Sequence, residues 1–152
     1  MKAAVFKRPG QPLVIEERPD PAPQAGEVLI RVSRAGICGS DLQMSSGEGQ
    51  QLPEDSIIGH EFCGYAVRCG NEVTGIREGD FVSADSHLPD WTCRVCRLGL
   101  PHLCSHLQIL GVDRPGAFAE YVALPETSLW VNDPGLDPAL ASIQDPMGNA
   151  VY

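Results

Sequence analysis

Three cysteines and an aspartate crowd the stretch Asp90–Cys104, DWTCRVCRLGLPHLC. Cys93 and Cys96 form C-x2-C, and Cys104 follows after seven intervening residues. The short spacing lets two thiolates grip one ion from a tight turn, and the loop returns a third. A structural zinc ion takes four ligands in a tetrahedron. Asp90 stands ahead of Cys93 on the same two-residue rhythm, so D-x2-C-x2-C-x7-C is a full ligand set when the carboxylate binds. His102 and His106 flank Cys104 and are alternative fourth ligands. The bland reading is a loop whose metal site has decayed.

A second constellation is spread along the chain. Cys38 lies in GICGSD, and His60 and Glu61 lie in IIGHEFCG. A thiolate, an imidazole and a carboxylate are the ligand types of a catalytic zinc with an open position. Spacing does not join these segments, and each residue alone reads as a packed thiol or a hydrogen-bonded ring. The glycine clusters GICGSD and SSGEGQ lack the G-x-G-x-x-G spacing that cradles a dinucleotide, so no such site is legible.

The bulk properties fit one domain over residues 1–152. A hydrophobic fraction of 43% supports an ordinary core, while 16 glycines and 13 prolines favour turns and short strands over long helices. The formal charge of -9 and the lack of a basic stripe argue against a nucleic acid partner. No segment approaches the roughly 20 apolar residues that span a bilayer. Pro9 and Gly10 cut short the apolar part of the opening MKAAVFKRPG, which is therefore no signal peptide. The expected compartment is reducing and cytoplasmic. Six cysteines there read as metal ligands or buried thiols before disulfides.

The elements that must position these residues are mostly strands. MKAAVF and PLVIEE form two around the Pro-Gly turn, and EVLIRVS places Val28, Ile30 and Val32 on one face with Arg31 and Ser33 on the other. SIIGHEFCGYAVRCG is an apolar run whose glycines mark a bend or a close approach. GIREGDFVSA is a turn feeding a strand, and AFAEYVALP alternates again. GSDLQM starts a helix with Ser40 as cap and a capping box to Gln43. DPALASI starts another at Asp137 and Pro138, and DPMGNAVY a third at Asp145 and Pro146. The chain then stops inside the first turns of a helix. That reads as a cut end, with apolar surface left exposed and association expected.

GICGSD, GHE, REGDFVSADSH, the cysteine loop, ILGVDRPGAFAEYV and DPMGNAVY occur in one order. In that order the chain resembles the zinc-dependent medium-chain alcohol dehydrogenases. GVDRPGAFAEYVALP and DPMGNAV look most like the L-threonine dehydrogenases among them. The resemblance implies a mainly β, GroES-like distorted barrel with a few short helices, the catalytic part of a zinc-dependent enzyme. It implies two zinc ions, a catalytic one on Cys38, His60 and Glu61 and a structural one in the cysteine loop. Asp145 matches an acidic residue that ligates or adjoins the catalytic zinc. Ser40 matches the hydroxyl that passes on the alcohol proton, and His87 matches a histidine near the substrate. Cys63 and Cys69 match no ligand. NAD or NADP would be held by a Rossmann domain following the GNAV helix, and the substrate would be a small alcohol. The full-length enzyme would be a homo-oligomer. Two departures stand out. Asp90 replaces the usual first cysteine, and Gln43 replaces a histidine that continues the proton relay in threonine dehydrogenases, which leaves a polyol dehydrogenase open. A stand-alone zinc module without dehydrogenase activity is the alternative of another class.

Overall fold

Short apolar segments broken by proline and glycine have no room for long helices. The computed structural model, which describes residues 1–151, accordingly holds ten strands, four short α-helices and two 3-10 turns, Pro101–Leu103 and Glu126–Ser128. β1 (Lys2–Phe6) and β2 (Val14–Glu17) flank the Pro9–Gly10 turn and pair antiparallel from Lys2↔Glu17 to Val5↔Val14. β3 (Glu27–Ala35) leads through a loop to α1 (Gly39–Ser46), and then come β4 (Ser56–Ile57) and β5 (Phe62–Cys69). β6 (Phe81–Ala84) and β7 (His87–Leu88) precede α2 (Arg94–Arg97). β8 (Gln108–Ile109), β9 (Tyr121–Pro125) and β10 (Leu129–Val131) follow, with α3 (Pro138–Ala141) and α4 (Gln144–Val151) last. Tyr152, which the sequence places in that final helix, lies outside the described residues.

The strands form sheets ordered β2-β1-β4, β10-β6-β5-β3-β9 and β7-β8, antiparallel throughout. The Ala3–Ala119 bridge ties the first sheet to the approach of β9. The sheets enclose one main core cluster, with smaller clusters at Ala3, Val5 and Ile57 and at Cys63, Phe81 and Ala141, and they do not close into a continuous hydrogen-bonded barrel among the described residues. Val28, Ile30, Phe62, Val82, Leu110 and Leu124 are the most deeply buried members of the main cluster. α3 packs on the opposite side of the large sheet, where Ala141 meets Cys63 and Phe81. Cys63 is fully buried, Cys69 is half-buried, and burial pushes both thiols up from their ordinary value.

Several local expectations shift for physical reasons. β3 buries Val28 and Ile30 as its alternation requires, but Leu29 and Glu27 are buried as well. The ladder to β5 shifts register between Leu29 and Ile30, which breaks the simple period of two. Glu27 is tolerated because Arg114 donates to it at 2.6 Å. β9 begins at Tyr121 rather than Ala117, because Gly116, Ala117 and Phe118 donate instead to Ile57, Gly59 and Ile58. The strand glycine Gly64 marks a close approach: a Cβ there would lie 2.3 Å from the Arg31 carbonyl oxygen. α3 starts as expected, with Asp137 accepting from the Ala139 N–H at 2.8 Å. α1 does not. Its cap is Cys38, and Asp41 rather than Gln43 reaches back, accepting from the Cys38 N–H at 3.0 Å. Gln43 is exposed. α4 opens at Gln144, so Asp145 lies inside its first turn instead of capping it. Leu140, Ile143, Met147 and Val151 expose their side chains along these last two helices and the turn between them.

Candidate metal centres

The cysteine lobe hangs from a two-stranded stalk. His87↔Ile109 and Leu88↔Gln108 pair at its base, and Leu88 and Leu110 are sunk in the core. Within the lobe Trp91 takes a φ of 55° and Gly99 a φ of 79°, which turn the chain sharply on either side of α2. Cys93 caps α2 with its sulfur accepting from the Cys96 N–H at 3.5 Å. Cys104 is held by N–H groups of Asp90 at 3.4 Å and His106 at 3.3 Å.

These turns bring Asp90, Cys93, Cys96 and Cys104 together, with donor atoms all within 4.8 Å of one another. The Cys93 sulfur lies 3.4 Å from that of Cys96 and 3.9 Å from that of Cys104. Asp90 Oδ1 is 3.5 Å from Cys96 Sγ and 3.4 Å from Cys104 Sγ. A disulfide needs about 2.05 Å between sulfurs, and all six cysteines are free. A tetrahedron with zinc–sulfur bonds of about 2.3 Å has edges of roughly 3.8 Å, so the four donors fit a zinc ion. The group is also electrically poised. His106 first, then the N–H groups of Cys93 and Thr92, hold the Asp90 carboxyl well below the usual carboxylate range. The N–H groups of Cys96 and Ser105 bring the Cys93 thiol down to about 7. Burial, followed by the neighbouring Cys93 thiol, pushes Cys96 up to about 12. His102 and His106, the alternative fourth ligands, both lie outside the four-donor group. His106 instead binds the carboxylate itself.

The second group depends on sheet register. Ala35 pairs with Phe62 at the joined ends of β3 and β5, and the Gly36 N–H donates to the Glu61 carbonyl at 2.8 Å. That pairing sets Cys38, at the mouth of α1, beside His60 and Glu61, and the three donors lie within 4.8 Å of one another. Gly59 holds the turn before His60 with a φ of 92°, and a Cβ there would meet the Phe118 ring at 2.4 Å. Gly36 leaves room for Glu61 in the same way: its absent Cβ would sit 2.6 Å from Oε2.

Asp41 was not singled out in the sequence, although it completes GICGSD. It is 2% exposed, and its Oδ1 lies 3.5 Å from His60 Nδ1 and has no hydrogen-bond partner. A buried, unsatisfied carboxylate oxygen beside an imidazole is the usual backing of a metal-bound histidine, whose other nitrogen faces the ion. The donor set therefore fits a zinc ion with an open position. The Asp41 carboxylate, with a smaller push from the Cys38 sulfur and against the effect of burial, raises His60 to about 9. Ser40 Oγ stands 3.5 Å from His60 Nε2.

His87 and Asp145 each bond to Ser86, and neither joins the three donors. Asp145 accepts from the Ser86 N–H at 3.0 Å, and His87 Nδ1 lies 3.1 Å from the Ser86 hydroxyl. Both line a cleft of about 620 Å³ with Trp91, His102 and Trp130.

Residues 24–133 match the family described as alcohol dehydrogenase GroES-like domain. The L-threonine 3-dehydrogenase of Saccharopolyspora erythraea is 46% identical over 100% of this chain and 45% of its own length. The chain thus spans less than half of that relative. Among solved structures, galactitol-1-phosphate dehydrogenase from Escherichia coli superposes with a TM-score of 0.92 at 27% identity, over 100% of this chain and 44% of that one. Acetophenone reductase from Geotrichum candidum, solved in complex with NAD, gives 0.85 at 30% identity over 95% and 43%.

Proposed function

Because the chain belongs to the alcohol dehydrogenase GroES-like domain family, we propose that it is the catalytic domain of a zinc-dependent, NAD(P)-linked oxidoreductase like L-threonine 3-dehydrogenase, acting on a secondary alcohol. The observation that carries this reading is the convergence of Cys38, His60 and Glu61 beside the Ser40 hydroxyl. In this reading those three residues hold the catalytic zinc, and Asp90, Cys93, Cys96 and Cys104 hold the structural one. The catalytic zinc, when bound, supplies Lewis acidity that lowers the pKa of an alcohol oxygen. The Ser40 hydroxyl would take the proton of that alcohol while releasing its own to solvent water, since Gln43 offers no titrating group, and Asp41 keeps the His60 ring oriented. In this reading His87 and Asp145 would meet the substrate from the cleft they line. The hydride acceptor would be NAD or NADP, and these 152 residues contain no G-x-G-x-x-G to cradle it. The chain by itself would then bind metal without turning over the dinucleotide.

Gln43 favours a second reading. It stands exposed on α1 where the resembled threonine dehydrogenases carry a relay histidine, and the likeness to galactitol-1-phosphate dehydrogenase agrees with a polyol substrate. The full natural polypeptide carrying this sequence should reduce NAD with L-threonine. Reduction with sorbitol but not with L-threonine would select the polyol reading. Metal analysis should find two zinc ions per chain, falling to one in Cys38→Ala and to one in Asp90→Ala. Absence of zinc from the unaltered protein after reconstitution would end both readings.

A further inference from the structure

We propose that His106 is the positioning residue of Asp90, fixing which carboxylate oxygen faces the ion in the Asp90–Cys93–Cys96–Cys104 group. The inference rests on the zinc reading of that group. A thiolate offers one donor atom, whereas a carboxylate offers two and turns freely between one-oxygen and two-oxygen binding. An aspartate among three cysteines therefore needs something to divide its oxygens.

His106 supplies that division. Asp90 Oδ1 faces Cys96 and Cys104 and accepts from the N–H groups of Thr92 at 2.9 Å and Cys93 at 3.0 Å. Oδ2 is turned the other way, to His106 Nδ1 at 2.5 Å. An ionised carboxylate only accepts, so Nδ1 carries the proton. The His106 side chain is 71% exposed, so no core packing forces it onto Asp90. Its backbone N–H meanwhile donates to Cys104 Sγ at 3.3 Å. One residue thus braces two of the four donors, and the site stays closed with a single oxygen.

Zinc retention against a competing chelator, measured in the full natural polypeptide, tests this, together with the visible ligand-field bands of cobalt substituted at the same group. His106→Ala should weaken retention of one ion on the order of 10- to 100-fold and alter the cobalt bands as a second oxygen enters. His106→Asn, whose amide N–H stands where Nδ1–H stood, should restore both. In an Asp90→Cys background, where the donor is one sulfur, His106→Ala should leave retention unchanged. Retention and bands of His106→Ala equal to those of the unaltered protein overturn the proposal. So does an Asn variant as weak as the Ala one, or an equal loss in the Asp90→Cys background. Equal metal content in the unaltered protein and in Cys96→Ala is a different failure: it sinks the zinc reading of the lobe and removes this proposal with it.

Discussion

The cysteine lobe draws its four candidate donors from the single stretch Asp90 to Cys104, whereas Cys38 meets His60 and Glu61 only because β3 and β5 run side by side. In the lobe, turns and N–H groups within a few residues set every donor, and the ladder of β7 and β8 merely closes its base. In the second group the main sheet does the positioning, and the donors sit at its rim, where the Ala35↔Phe62 pairing ends. A local site lives or dies by its own ion. A site assembled by register inherits the stability of the core and can leave a coordination position open without falling apart.

Four perturbations bear on that contrast, in descending order of effect. Cys96→Ala should release the lobe's ion, whose binding in small zinc motifs is worth on the order of 10 kcal/mol. Limited proteolysis should then cut between Asp90 and Cys104, while circular dichroism finds the sheet intact and metal analysis finds the other ion retained. Loss of both ions would break the comparison. His60→Ala in the full natural polypeptide should cost several kcal/mol of transition-state stabilisation, about 10³-fold in turnover, with the melting temperature barely moved. Asp41→Asn should weaken metal retention at the Cys38 group about 10- to 100-fold; chelator competition should show the lobe's ion unaffected. Asp137→Ala removes the cap of α3 and should cost about 1 kcal/mol in denaturant unfolding, with both metals retained as before. A change in metal retention there would mean that α3 reaches further into the sites than its packing suggests.

The same contrast governs what was legible in the sequence. The three cysteines of the lobe could be read directly from C-x2-C-x7-C, but spacing left Asp90, His102 and His106 as rival fourth members, and only the folded loop puts Asp90 among the sulfurs. The strands β1 and β2 were legible as short apolar runs on either side of the Pro9–Gly10 turn, and β3 was less so, because a register shift buries Leu29 as well. Cys38, His60 and Glu61 could be named as ligand types, but their meeting depends on pairing across the sheet, which no local pattern records. Asp41 escaped notice for a related reason. Its work is done on a histidine far along the chain, and locally it looks like any acidic residue early in a helix. His106 was visible as a rival ligand, yet its bond to Asp90 spans the whole lobe. The cap of α1 went to Cys38 because Asp41, rather than Gln43, turns back onto the chain.

Gly36 carries a consequence for chemistry rather than for folding. A methyl group there would stand 2.6 Å from Glu61 Oε2 and push the oxygen aside. Oε2 is the free end of a flexible side chain, so Glu61 would turn rather than leave, and the aim of its carboxylate toward Cys38 and His60 would change. If the three donors hold a metal ion, the fit of that ion would be set partly by a residue that contributes no atom to it, and a designer wishing to retune the fit would begin at position 36 without touching a donor.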